Sequence, residues 1–233
     1  MSDPKGDSRQ RYRWTAAVRH LRKVDPRMGA IIDRVGPCLL EPHPHRFSAL
    51  VRSIVSQQIS TKAAASINRR LMDAAGDPYQ PDRLIELGET PLRGAGLSGQ
   101  KARYVLNVAE AVSSGRVPLD GIDDSWDDQA VVESLTTIKG VGVWTAEMFL
   151  IFVLNRPDVL PSGDLGVRAA LRIHHNLPDL PKPSQCPALA ESWRPYRTIA
   201  SWYIWRGIDT KGVDKPPVPE KATISPPRPT KKR

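Results

Sequence analysis

The segment Leu135-Thr136-Thr137-Ile138-Lys139-Gly140-Val141-Gly142-Val143-Trp144-Thr145-Ala146 sets two glycines, one residue apart, between two apolar-periodic runs. Glycine reaches positive φ without a Cβ clash, so the chain can reverse sharply here and let another backbone come close. From Thr145 the pattern turns helical, with Ala146, Phe149, Leu150 and Val153 on one face. Two helices joined by a glycine hairpin follow from this spacing. The hairpin would offer peptide N–H groups at the start of the second helix, which with the helix dipole make an anion site. Gly-x-Gly alone also suits a plain tight turn. The longer pattern of Leu135, Ile138, Gly140, Gly142, Thr145 and Ala146 is the more specific signal.

Downstream comes Ser162-Gly163-Asp164-Leu165-Gly166, with one carboxylate just before another apolar helix. Asp is a good N-cap, and Asp164 is a candidate for that role. It is also a candidate catalytic acid. A phosphate clamp with a lone acid nearby points to chemistry on DNA.

The 233 residues are enough for one large or two small domains, and 40% hydrophobic content makes most of the chain globular. A net charge of +9 favours an anionic partner, with nucleic acid first, although it also serves solubility. Two cysteines, Cys38 and Cys186, form no CxxC pair, so neither a disulfide framework nor a cysteine metal cluster is expected. His174 and His175 lack a third or fourth ligand at useful spacing, so no zinc site is expected there; His43 and His45, either side of Pro44, read as a surface loop, with metal binding the lesser alternative. The polar N-terminus has no apolar signal-peptide core, and no stretch approaches the ~20 apolar residues of a membrane span. A cytoplasmic protein is expected in a bacterium and a nuclear one in a eukaryote.

Along the chain, residues 1–10 read as loose, 14–24 and 28–35 as helices, and 36–45 as a proline-broken connector. Phe47, Leu50, Val51, Ile54 and Val55 form a 3.6-period stripe that Gln57-Gln58 interrupts. Ser60 is a candidate N-cap for a helix over 63–72. A second glycine-rich connection at 92–98 precedes a helix over 100–112. A loop over 117–128 and a segment over 129–135 lead into the hairpin. Helices are expected over 165–173 and 198–205, with 174–185 irregular. No alternating strand pairs are found, so the fold class is all-α. Residues 211–233 hold six prolines, five lysines and two arginines against two acids, and read as a disordered basic tail. Such a tail is either a solvated terminus or an aid to phosphate attraction.

The hairpin residues, followed by Gly163-Asp164, resemble the helix-hairpin-helix DNA glycosylase superfamily, and within it the alkylpurine (3-methyladenine type II) branch. The resemblance covers roughly residues 46–206. It implies two helical lobes with a DNA-binding cleft. One lobe is the contiguous middle, 46–147, ending in the hairpin. The other joins the N-terminal helices, 1–45, to the segment 148–210 that carries Asp164. It implies a monofunctional glycosylase that hydrolyses the N-glycosidic bond of alkylated purines, 3-methyladenine and 7-methylguanine, in duplex DNA for base excision repair. The alternatives are a glycosylase for another lesion, or a helix-hairpin-helix protein that binds DNA without cutting it.

Each site residue then takes an expected role. Asp164 corresponds to the family's catalytic aspartate, stabilising positive charge on the deoxyribose or activating water. Trp144 stands where bifunctional relatives carry a lysine that attacks the sugar, so no lyase step is expected. Its ring suits a cationic alkylpurine. Met148 and Trp205 complete the expected base pocket, though the cluster around Trp205 also reads as core. Gln58 aligns with the family's wedge, which fills the gap left by a flipped base. Lys101, Lys139, Gly140, Val141, Gly142 and Thr145 are expected to contact DNA. The backbone carbonyls of Thr136, Ile138 and Val141 correspond to a monovalent-cation site. The cysteine quartet of some relatives is missing, so no iron–sulfur cluster is expected, and no cofactor is required. The expected partner is duplex DNA with a flipped damaged base, bound by a monomer.

Overall fold

Twelve α-helices and several single turns make up residues 13–207, the part of the chain that the computed structural model describes, with no strand among the described residues. The expectations for residues 1–10 and for the basic tail lie outside them. No described helix is long and apolar enough to cross a membrane.

Local chemistry sets the boundaries. Helix α1 spans Thr15–Val24, and α2 spans Pro26–Val35. The Asp25 side chain caps α2 by accepting from the Met28 amide, and Pro26 sits at the first position. α3 covers Arg46–Ser56, and α4 covers Thr61–Ala75 behind the cap from Ser60. Two short helices follow, α5 (Pro81–Leu87) and α6 (Glu89–Gly94). They occupy sequence in which no helix was expected, and α6 takes up part of the expected glycine-rich connection. Each runs for about two turns or less, too short for a 3.6-residue period to register against Gly88 and Pro91.

α7 (Gly99–Ser113) is capped by Ser98, and α8 (Asp128–Thr136) by Asp127. α9 (Val143–Phe149) runs into a π-helical turn at Leu150–Leu154, which ends where Asn155 takes a left-handed φ of 55°. α10 (Leu165–His174) is followed by the one-turn α11 (Cys186–Leu189) and by α12 (Arg197–Gly207).

The helices pack in two groups. α3, α5 and α6 gather around α7, α4 packs on α3 and α5, and α9 docks on α3 and α8. α1 and α2 pack on α12, which also holds α10. The buried carboxylate of Asp25 ties the first described helices to this second group. It accepts from His174 Nε2 at 2.7 Å and from Trp193 Nε1 at 2.8 Å. Tyr203 on α12 donates to the Gly36 carbonyl at 3.0 Å, and Trp14 donates to Leu40 at 2.8 Å. Burial opposes ionisation of Asp25. The hydrogen bonds from His174, the Met28 amide and Trp193, together with the His174 charge, outweigh it and hold the carboxyl well below its usual range.

Asp25→Asn is expected to lower unfolding stability by about 1–3 kcal/mol at neutral pH, because it disturbs a buried, fully partnered carboxylate. A depressed folded pKa stabilises only above the unfolded value, 3.8, and that contribution is lost as pH falls below it. Denaturant melts at pH 7 and pH 3 should therefore show the gap between wild type and variant closing in acid.

Candidate active site

Asp164 takes the predicted capping role. It is the N-cap of α10, with Oδ1 accepting from the Val167 amide at 2.8 Å. It is also buried, at 7% exposure, with two indole partners from distant segments. Trp144 Nε1 on α9 donates to Oδ2 at 2.8 Å, and Trp205 Nε1 on α12 donates to Oδ1 at 3.1 Å. A carboxylate offers about four acceptor directions. Three are filled, which leaves about one for a substrate or a water.

Trp205 reaches Asp164 because α12 is anchored at its start. Arg197 clamps Asp158 through Nε at 2.8 Å, and Thr198 Oγ1 donates to the Arg156 carbonyl at 2.6 Å. The Trp205 ring then lies against Phe152, with centroids 5.7 Å apart, and is nearly buried. Its visible contribution to the site is therefore its N–H edge. Gly166, which sequence reasoning passed over, eases the approach. A Cβ there would sit 3.0 Å from Asp164 Oδ1 and 3.4 Å from the Trp205 ring. A glycine inside an otherwise apolar helix was the available signal. Trp144 stays half-buried, and Met148, four residues further along α9, is buried.

The hairpin is a tight turn whose glycine is required. Gly140 has φ +108°, and a Cβ would fall 2.2 Å from Tyr104 Cγ. Val141 buries its side chain and spends its amide on the Ile138 carbonyl at 3.0 Å. Thr145 is also buried, and its Oγ1 accepts from Gln57 Nε2 at 3.1 Å. Both side chains brace the hairpin from inside, and the DNA contact expected of Val141 and Thr145 would fall to their backbone. Among the described residues, the amides of Gly142, Val143 and Trp144 have no acceptor in the chain. Gly142 and Val143 are exposed, and these are the groups open to an anion. Lys139 is exposed too, with its carbonyl held by Asn107 at 3.0 Å.

Gln58 is exposed in the turn after α3 and takes a left-handed φ of 54°, uncommon for a residue other than glycine. Lys101, expected to meet phosphate, points elsewhere. Its ammonium donates to the Val55 carbonyl at 2.7 Å and to the Gln57 carbonyl.

Sequence reasoning also missed Glu147, an acid within the apolar run of α9 and one turn beyond Trp144. It lines a cavity of about 240 Å³ with Asp128, Asp158, Ser162 and Arg197. Burial, with the Asp164 charge nearby, pushes Glu147 up to about 7. No cluster of three or more His, Cys, Asp or Glu able to hold a metal occurs among the described residues.

A family model described as the HhH-GPD superfamily base excision DNA repair protein matches residues 51–195, a span that holds the hairpin and Asp164. The chain belongs to this superfamily. The DNA-3-methyladenine glycosylase 1 of Schizosaccharomyces pombe is 33% identical to it over 212 residues, covering 89% of this chain and 93% of that one. The alkylbase DNA glycosidase-like protein mag2 of the same yeast is 32% identical, covering 82% and 92%. The solved S. pombe 3-methyladenine DNA glycosylase Mag1, in complex with abasic DNA, superposes with a TM-score of 0.73 at 32% identity, covering 82% of this chain and 95% of that one. A DNA-3-methyladenine glycosidase from Bacillus halodurans superposes at 0.69 and 35% identity, covering 81% and 87%.

In this HhH-GPD protein Glu147 should leave a signature in stability. A raised folded pKa means that the folded state binds more protons than the unfolded chain between about 4.5 and 7. Stability therefore falls as pH rises through that window. Glu147→Gln is expected to flatten this slope and to gain most over wild type above pH 7. Melting temperatures at pH 5 and pH 8 check it, and equal gains at both would refute a raised Glu147.

Proposed function

We propose that this protein is a monofunctional glycosylase that releases 3-methyladenine and 7-methylguanine from duplex DNA, leaving abasic sites for base excision repair. The observation that carries the reading is the buried carboxylate of Asp164 held between the N–H edges of two indoles. The relatives named as 3-methyladenine glycosylases support the substrate class.

Breaking the N-glycosidic bond leaves positive charge on the deoxyribose as the base departs with the bonding pair. A fixed carboxylate in a site poor in water stabilises that charge most where it develops. Three N–H donors hold Asp164 still, so little reorganisation is needed at that moment. Water then adds at the sugar carbon and gives up a proton, and the lone acceptor direction left on Asp164 is suited to receive that hydrogen bond. An alkylated purine already carries positive charge, so it leaves readily and stacks on the half-exposed face of Trp144. An indole at this position has no amine to attack the sugar, which supports hydrolysis without strand cleavage.

The exposed Gln58 turn supplies the wedge, and the open amides of the hairpin, with Lys139 beside them, take a backbone phosphate. The carbonyls at the hairpin fit a monovalent cation. Among the described residues, those of Thr136 and Val141 accept no amide, and that of Ile138 accepts only one. Such an ion would tie the hairpin turn to the end of α8. Two cysteines cannot supply the four thiolates of an iron–sulfur cluster, and the hydrolysis needs no cofactor.

Asp164→Asn is expected to slow base release from methylated duplex DNA by about 10²–10³-fold. With wild type, strands should break only after alkali or heat. If wild type bound DNA but released no base from alkylated, deaminated or oxidised duplexes, the non-catalytic reading would lead. Trp205→Phe keeps a ring but removes one donor to Asp164. It should lower kcat about tenfold with KM little changed, measured under saturating methylated DNA.

A further inference from the structure

Three side chains at i, i+3 and i+6 on α7 brace the two loops assigned above to DNA. Tyr104 packs against Gly140, and Asn107 donates to the Lys139 carbonyl, so both hold the hairpin. Lys101, at the start of the same stripe, holds the turn that carries Gln58. Its ammonium sits at the end of α3 and donates to the carbonyls of Val55 and Gln57. These are orphan acceptors of a helix terminus, where a cation is favoured by the macrodipole as well as by the hydrogen bonds. Gln57 links the two loops directly, donating to Thr145 Oγ1 at 3.1 Å and to the Gly140 carbonyl at 3.5 Å.

The chain geometry at this turn is unfavourable on its own. Gln58 holds φ +54° without being glycine or asparagine, a conformation that persists only where surrounding groups determine it. The carbonyl of the residue just before it is one of the two that Lys101 grips. Lys101 spends two of its three N–H donors inside the protein, and a phosphate would have to share the third.

We infer that Lys101 is a positioning residue for the wedge, gripping the Gln57–Gln58 turn so that Gln58 projects into the gap left by a flipped base. It does not act as a phosphate ligand. This rests on the wedge role proposed above for Gln58. The two roles leave different marks. Removing a lysine that binds phosphate weakens binding uniformly across DNA sequences and reduces the slope of log Kd against log salt by about one. Removing a support for the wedge reduces flipping and leaves that slope alone.

The test compares wild type, Lys101→Met, Gln58→Ala and the double variant. One arm measures single-turnover release of 7-methylguanine from duplex DNA. A second measures the fluorescence of 2-aminopurine placed opposite a tetrahydrofuran abasic analogue, which rises when the wedge disturbs its stacking. A third measures the salt dependence of binding to undamaged duplex. Lys101→Met should slow release about tenfold and blunt the fluorescence rise, with the salt slope unchanged. The double variant should be no slower than Gln58→Ala by more than about twofold, since neighbours acting through one element are non-additive. A slope reduced by about one, with equal weakening on damaged and undamaged DNA, would overturn the inference. So would losses that multiply in the double variant. Should Lys101→Met not fold, Lys101→Gln, which keeps a donor, is read by the same criteria. If wild type released no base, the glycosylase reading would fall, while the fluorescence and salt arms would still decide the role of Lys101.

Discussion

One buried carboxylate joins three helices that are far apart in the chain. Asp164 accepts from its own helix through the Val167 amide, from the hairpin helix through Trp144, and from the last described helix through Trp205. A buried carboxylate left unpartnered would be strongly unfavourable, so these three donors are a condition for placing it there. The same condition sets the aromatic rings. Each indole is held at its N–H edge, and the Trp205 ring also lies against Phe152.

Much of the remaining architecture serves that junction. α12 is pinned by Asp158 and Thr198 at its start and packs Trp205 on Phe152, so the indole arrives at a defined angle. Gly166 leaves the space it needs. On the other side the hairpin orients Trp144. The hairpin is braced through Gly140 on Tyr104, through Asn107, and through the link between Gln57 and Thr145. The Asp25, His174 and Trp193 cluster attaches the N-terminal helices to the group that holds α12. The role proposed for Asp164 calls for such rigid support from several helices, because a loosely held carboxylate would have to reorganise as charge develops.

The helical class, the hairpin and the acid were legible because they are local. Glycine spacing, the 3.6-residue stripe and the Ser60 cap are properties of a few consecutive residues. The short helices α5 and α6 were not legible, since about two turns between Gly88 and Pro91 carry no usable period. Asp164 read from its neighbours as a cap and from the resemblance as a catalyst, and it is the cap of α10 while also meeting two indoles. Lys101 and Thr145 show the opposite limit. Both are polar residues beside glycine-rich turns, where solvent or phosphate is the natural guess, yet both turn inward to carbonyl or amide partners. Glu147 escaped notice because its raised pKa comes from burial and from a neighbour 17 positions further along the chain.

The sequence by itself determined the all-α class, the place of the hairpin, the acid at the head of α10 and the indole two residues past the hairpin's second glycine. All of these depend on residue type and short-range order. Tertiary structure alone decided that Trp205 would bind Asp164 by its edge, that Lys101 would cap α3, and that Gly166 would lie against both Asp164 and Trp205. Those outcomes depend on which unsatisfied donor comes within about 3 Å of which acceptor once the helices pack. Chain order does not encode that distance.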